Sequence, residues 1–94
     1  MRQYELILIL QPDLDEETRS GVIERVNTMI IESGGEIIKT DIWGTRQLAY
    51  EIQDFREGFY IYMEVSLSPA SSTDFSQNLR YIEPIIRYML IKED

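Results

Sequence analysis

Residues 53–67 read QDFREGFYIYMEVSL, and the fold turns on how they are divided. QDFREG, at 53–58, is polar and turn-forming and too short for a helix, so it reads as a hairpin loop between two extended segments. FYIYMEVSL, at 59–67, alternates and is rich in β-branched and aromatic residues, as a strand should be. Ile61, Met63 and Val65 fall on one side and Tyr60, Tyr62 and Glu64 on the other. The first set is uniformly apolar and belongs against helices. Tyr60 and Tyr62 then face outward.

Working outward, residues 36 to about 53 also favour strand, through Ile37, Ile38, Thr40, Ile42, Trp43, Leu48, Tyr50 and Ile52. Gly44 interrupts them and suggests a bulge or bend. Gln3 to Leu10 forms a first strand, with Tyr4, Leu6, Leu8 and Leu10 on one face and Glu5, Ile7 and Ile9 on the other. Asp13 or Asp15 caps a helix that follows, whose stripe is Val22, Ile23, Val26, Met29 and Ile30. Gly34-Gly35 stops it. Ser68-Pro69 opens a second helix, with Phe75, Leu79 and Ile82 inward and Pro84 as its end. Ile85 to Ile91 is the last strand, and residues 92–94 are a polar tail.

The order is therefore strand, helix, strand, strand, helix, strand. This is the ferredoxin-like split βαβ sandwich of the α+β class: a four-stranded antiparallel sheet with two helices on one face. The length of 94 residues fits a single domain, 1–94. The other sheet face is left open, with Tyr60, Tyr62, Ile7 and Ile9 on it. A partly apolar open face of this kind usually has a partner, and Tyr60 and Tyr62 are the candidate partner-protein surface.

Composition narrows the function. The chain has no cysteine and no histidine, which removes thiolate chemistry, disulfides and the usual general base and metal ligand. Nothing indicates a catalytic residue, a metal, a cofactor or a small-molecule substrate. The acids from Asp13 to Glu17 sit at a helix start, where acids are favoured on electrostatic grounds alone. No stretch approaches the roughly 20 apolar residues of a membrane span, and the N-terminal apolar run is too short for a signal peptide. A cytoplasmic protein without a membrane partner is expected.

Seventeen acidic residues against nine basic give a net charge of −8, which argues against a broad phosphate-binding surface. Yet from Ile42 to Tyr50 the only charge is Arg46, and Arg80, Arg87 and Lys92 cluster late in the chain. Counterion release follows local contacts rather than total charge, so a few placed arginines suffice for RNA. An RNA-recognition module of the same topology would stack bases on alternate aromatics of its third strand. Here the corresponding run, Glu57 to Tyr62, begins with an acid and has Ile61 in a stacking position, so the pattern is absent. Two other classes share the topology: a homodimeric ligand-binding domain, and a small acylphosphatase-type enzyme, for which no phosphate-cradling loop is present.

Gly44-Thr45-Arg46-Gln47-Leu48-Ala49-Tyr50-Glu51-Ile52 resembles the signature of the ribosomal protein S six family of the bacterial small subunit. The start Met1-Arg2-Gln3-Tyr4-Glu5, Gly58, Leu79-Arg80 and Arg87-Tyr88-Met89 are similar to that family as well. The resemblance implies a structural component of the small ribosomal subunit. It would bind the central domain of small-subunit ribosomal RNA during assembly, as a heterodimer with the basic ribosomal protein S eighteen. By matching position, Arg2, Arg46, Gln47, Arg80 and Arg87 become the RNA contacts, and Tyr50 orients the motif strand. The chain departs from the family at Glu51, commonly proline, and at Gln53, usually basic or small. Both departures reduce the phosphate contacts expected at that end of the strand.

Overall fold

The computed structural model describes residues 1–93. Its elements are β1 (Arg2–Leu10), α1 (Glu16–Glu32), β2 (Glu36–Ile52), β3 (Phe55–Leu67), α2 (Pro69–Leu79) and β4 (Ile85–Lys92). The sheet order is β2-β3-β1-β4, with every pairing antiparallel. This is the expected split βαβ arrangement. It makes β2 and β4 the two edges.

Local chemistry sets the helix starts. The Asp15 carboxylate accepts from the Thr18 N–H at 2.8 Å, satisfying one of the free donors of α1's first turn. Glu16 and Glu17 then lie where the helix dipole favours negative charge. Ser68 caps α2 in the same way, with Pro69 in the first turn. Gly34, at φ +81°, takes the left-handed turn that releases the chain from α1 into β2.

The core lies between the helices and one sheet face. Leu6, Leu8 and Leu10 of β1 meet Ile61, Met63, Val65 and Leu67 of β3 beneath Val22, Val26 and Ile30 of α1 and Phe75 and Leu79 of α2. The alternation read from β1 and β3 is thus the one observed.

Three details differ from the sequence reading. The hairpin loop is the pair Gln53-Asp54, not residues 53–58, and β3 begins at Phe55. Both turn residues have positive φ, 51° and 69°, the left-handed pair whose twist matches that of the flanking strands. Neither is glycine, so the turn left no glycine mark in the sequence. Helix α2 ends at Leu79, not at Pro84. Ile82 is still buried, but in the turn after the helix, where the Ile82 and Ile85 N–H groups donate to Leu79 and Ile82 carbonyls. Finally, Lys92 belongs to β4 rather than to a tail, pairing with Tyr4; Asp94 lies outside the described residues.

Strand β2 is longer than its partner. One surplus residue enters between Ile37 and Lys39, and another between Ile42 and Gly44. From Gln47 to Ile52 is five steps on β2, against two on β3 from Glu57 to Phe55, so three further residues are surplus. Such bulges bend a strand and increase its twist. They also make a poor template for pairing at this exposed edge.

Candidate nucleic-acid interface

The Gly44 bulge determines which side chains reach the open face. In a regular strand, residues three apart point to opposite faces. Before the bulge, Asp41 pairs with open-face Tyr62 and Ile42 with buried Ile61; after it, Gly44 pairs with Tyr60 and Arg46 with Gly58. The extra residue reverses the phase, so Trp43 and Arg46 emerge on the same side. Gly44 adopts φ +85° to do so, a conformation in which other residues are strained.

The result is an aromatic pair with a cation over it. Trp43 lies parallel on Tyr62, with ring centroids 5.2 Å apart and planes 5° from coplanar. The Arg46 guanidinium sits 5.1 Å from the Trp43 ring. Beneath, the Tyr62 hydroxyl donates to Glu5 Oε2 at 2.8 Å and lies 3.1 Å from Glu64 Oε1. The bond to Glu5, burial and the neighbouring Glu64 push the Tyr62 phenol above its usual range. Glu5 and Glu64 face one another directly across β1 and β3. Like charges so placed repel, and the shared hydroxyl relieves part of that.

The second feature is an arch. The three surplus residues before the hairpin let Leu48–Ile52 fold over the open face toward β4. There the Arg87 guanidinium donates to the Tyr50 hydroxyl and lies 5.8 Å from the centre of the Tyr50 ring. Ile9, Tyr60 and Met89 form the floor beneath Leu48, Tyr50 and Ile52, enclosing a cleft of about 290 Å³. Gly58 is buried under this arch. A Cβ there would fall 2.3 Å from Ile9 Cγ2, so the glycine is needed for close packing.

Of the residues matched to RNA contact, the fold gathers four at one end of the sheet. Arg46 and Gln47 lie on β2 near the hairpin, and Arg87 pairs with Ile9 near the end of β1. Arg80 caps the C-terminus of α2, and the turn after it is fastened to that same end by the Gln11 N–H donating to the Pro84 carbonyl. Arg2 is at the opposite end, paired with Leu67. It lies roughly 25–30 Å from the level of Arg46 at about 3.3 Å per residue. All five side chains belong to exposed residues. The ion pairs among the described residues are Lys39–Asp41 and Arg56–Glu51, so the four arginines are unneutralised there. The Arg56–Glu51 contact, at 3.3 Å, offsets the Glu51 charge at that end of β2.

From the sequence Trp43 is legible only as a strand former, not as part of the site. The glycine that follows it signals a bulge or bend, and the structure shows the bulge; its consequence for facing is not legible in the chain. Tyr60 and Tyr62 are half-buried on the open face as expected, opposite Ile9 and Ile7. The Arg2 end of this face is acidic. Burial together with Glu64 and Glu5 raises the Glu93 carboxyl above its ordinary range, and these three carboxylates have no cationic partner among the described residues. Among the described residues no cluster of acids is placed to hold a metal ion, and no helix is long and apolar enough to cross a membrane.

Comparison with known proteins gives a consistent result. The sequence profile of the family described as Ribosomal protein S6 matches residues 3–92. The small ribosomal subunit protein bS6 of Caldanaerobacter subterraneus subsp. tengcongensis is 45% identical over 94 residues, covering 100% of this chain and 99% of that one. Its counterpart in Exiguobacterium sibiricum is 38% identical over 94 residues, with 100% and 99% covered. Among solved structures, 30S ribosomal protein S6 from Thermotoga maritima superposes with a TM-score of 0.91 at 32% identity, over 98% of this chain and 87% of that one. The P2 domain of the chemotaxis kinase CheA, at TM-score 0.66 and 18% identity over 98% of both chains, shares the fold alone.

Proposed function

Because the chain belongs to the ribosomal protein S6 family of the small subunit, we propose that it binds the central domain of small-subunit ribosomal RNA during assembly, jointly with the basic protein S eighteen. Its place is the cytoplasmic ribosome. Its role there is structural, without catalysis.

The observation that carries the RNA-binding reading is the gathering of Arg46, Gln47, Arg80 and Arg87 at one end of an otherwise acidic molecule. Guanidinium groups suit phosphate oxygens because their planar N–H forks can bond in pairs. Arg2, at the far end, contacts a separate stretch of RNA. So few cations neutralise few phosphates, and affinity for RNA alone is weak.

The open face supports a basic partner. Its apolar floor of Ile9, Tyr60 and Met89 sits beside the uncompensated carboxylates Glu5, Glu64 and Glu93. Tyr60 offers the contact within the cleft. Tyr62 contributes its outer edge, since one ring face is already covered by Trp43. S eighteen, bound here, adds its own positive charge to the complex, and the two proteins raise each other's affinity for RNA by linkage.

The test is to mix this protein, S eighteen and a central-domain RNA fragment and separate the complexes by size. All three eluting together is the expected result. An RNA fraction holding S eighteen but not this protein contradicts the proposal.

A further inference from the structure

We propose that Trp43 is the positioning residue for Arg46: it holds the guanidinium over its indole so that the outward N–H fork meets an RNA phosphate. The inference rests on the RNA-binding reading above and adds a residue to it.

Three observations converge. The bulge at Gly44 reverses the strand's phase, and this alone puts Trp43 and Arg46 on one side. Trp43 is itself held, stacked at 5.2 Å on Tyr62, whose hydroxyl is fixed by Glu5 and Glu64. The guanidinium carbon then lies over the indole, 5.1 Å from the ring centre, with no carboxylate partner among the described residues. The chain of support thus runs from two carboxylates through a phenol and an indole to one cation.

The physical consequence is preorganisation. A free arginine side chain has many rotamers, and ordering it on binding costs about 0.5–1.5 kcal/mol. Stacking on an aromatic face engages the face of the guanidinium and leaves its in-plane donors free. A carboxylate partner would occupy those same donors. In so acidic a protein, an aromatic platform is therefore the support that fixes an arginine without using up its phosphate-binding edge.

The test uses the full chain with S eighteen and the central-domain RNA fragment, comparing wild type with Trp43→Leu, Trp43→Phe, Arg46→Ala, Arg46→Lys and the Trp43→Leu/Arg46→Ala pair. Arg46→Ala is expected to weaken RNA binding about tenfold, as for a charge-assisted bond, and to lower the salt slope by about one phosphate. Trp43→Leu should lose a comparable factor, Trp43→Phe should retain most of the affinity, and the pair should lose no more than the worse single variant. Arg46→Lys should also bind more weakly, since an ammonium keeps the charge but not the planar stack. Because Trp43 is the single tryptophan, its emission should change over the same RNA concentrations that form the complex.

Full affinity and slope in Trp43→Leu, with Arg46→Ala impaired, would overturn the positioning role and leave the RNA reading standing. Additive losses in the pair would overturn it too. A wild-type protein that fails to join the RNA complex would remove both. If Trp43→Leu does not fold, the Trp43→Phe and Arg46→Lys variants decide: a full-affinity Arg46→Lys contradicts the stack.

Discussion

The hydroxyl of Tyr50 on β2 accepts a hydrogen bond from the guanidinium of Arg87 on β4, joining the two edge strands across the open face of the sheet. The residues are 37 positions apart, and no regular ladder brings them near. The arch of surplus β2 residues does so. Removing the hydroxyl with Tyr50→Phe should speed amide exchange in residues 48–56. Global stability should change by less than about 1 kcal/mol, the range for one exposed hydrogen bond. Unchanged exchange there would mean the bridge does not hold the arch.

Gly58→Ala should destabilise the protein by about 1–3 kcal/mol, the range for overpacking. The added methyl would fall 2.3 Å from Ile9 Cγ2, and Ile9 is only 3% exposed. In an Ile9→Ala background the same change should cost less, because the two sites compete for one space. Strict additivity in denaturant titrations would contradict the packing account.

Leu8 is fully buried between β1 and the helices. Leu8→Ala should cost about 2–5 kcal/mol in denaturant titrations. A loss under about 0.5 kcal/mol would mean that β1 presents its other face to the core.

Asp15 gives a pH signature. Its hydrogen bonds to Thr18 hold its carboxyl below the ordinary 3.8, with nearby Arg19 acting in the same direction. A folded value lower than the unfolded one gives stability that is present above the unfolded value and lost as pH falls through the folded one. Asparagine also caps but does not titrate. The stability of wild type relative to Asp15→Asn should therefore decline as pH falls below about 4. A difference constant from pH 6 to pH 2 would show that the cap does not carry the shift.

Arg2 and Arg46 lie at opposite ends of the sheet. Their alanine variants should each weaken RNA binding, and the losses should add within about 0.5 kcal/mol, as for distant sites. Arg46→Ala and Arg87→Ala share an end and are the pair in which non-additivity is expected. Strong coupling between Arg2 and Arg46 would contradict separate RNA contacts.

Most of the fold was legible because β1, β3 and α1 bury one face each, so their residue periodicity reports the core directly. The caps were legible too, Ser68 directly and Asp15 as one of the pair Asp13 and Asp15, since both act on neighbours in sequence. What escaped notice depends on phase and distance. The Gln53-Asp54 turn takes positive φ without glycine, and α2 ends on turn hydrogen bonds rather than on its proline. At the candidate site, the types of Arg46, Gln47 and Arg87 could be read from the chain. Their grouping could not, because one bulge decides the side Arg46 takes and three surplus residues carry Tyr50 to Arg87. The Trp43 stack escaped for the same reason: after Gly44, simple alternation counts the faces wrongly.

The most direct test of the central claim is a salt-dependent titration of a central-domain fragment of small-subunit ribosomal RNA. It is run with this protein alone, with S eighteen alone and with both. The account predicts tight binding only with both, and a steeper fall of log affinity with log salt than either protein gives alone. If this protein neither bound the RNA nor changed the affinity or slope seen with S eighteen, joint RNA binding would be contradicted.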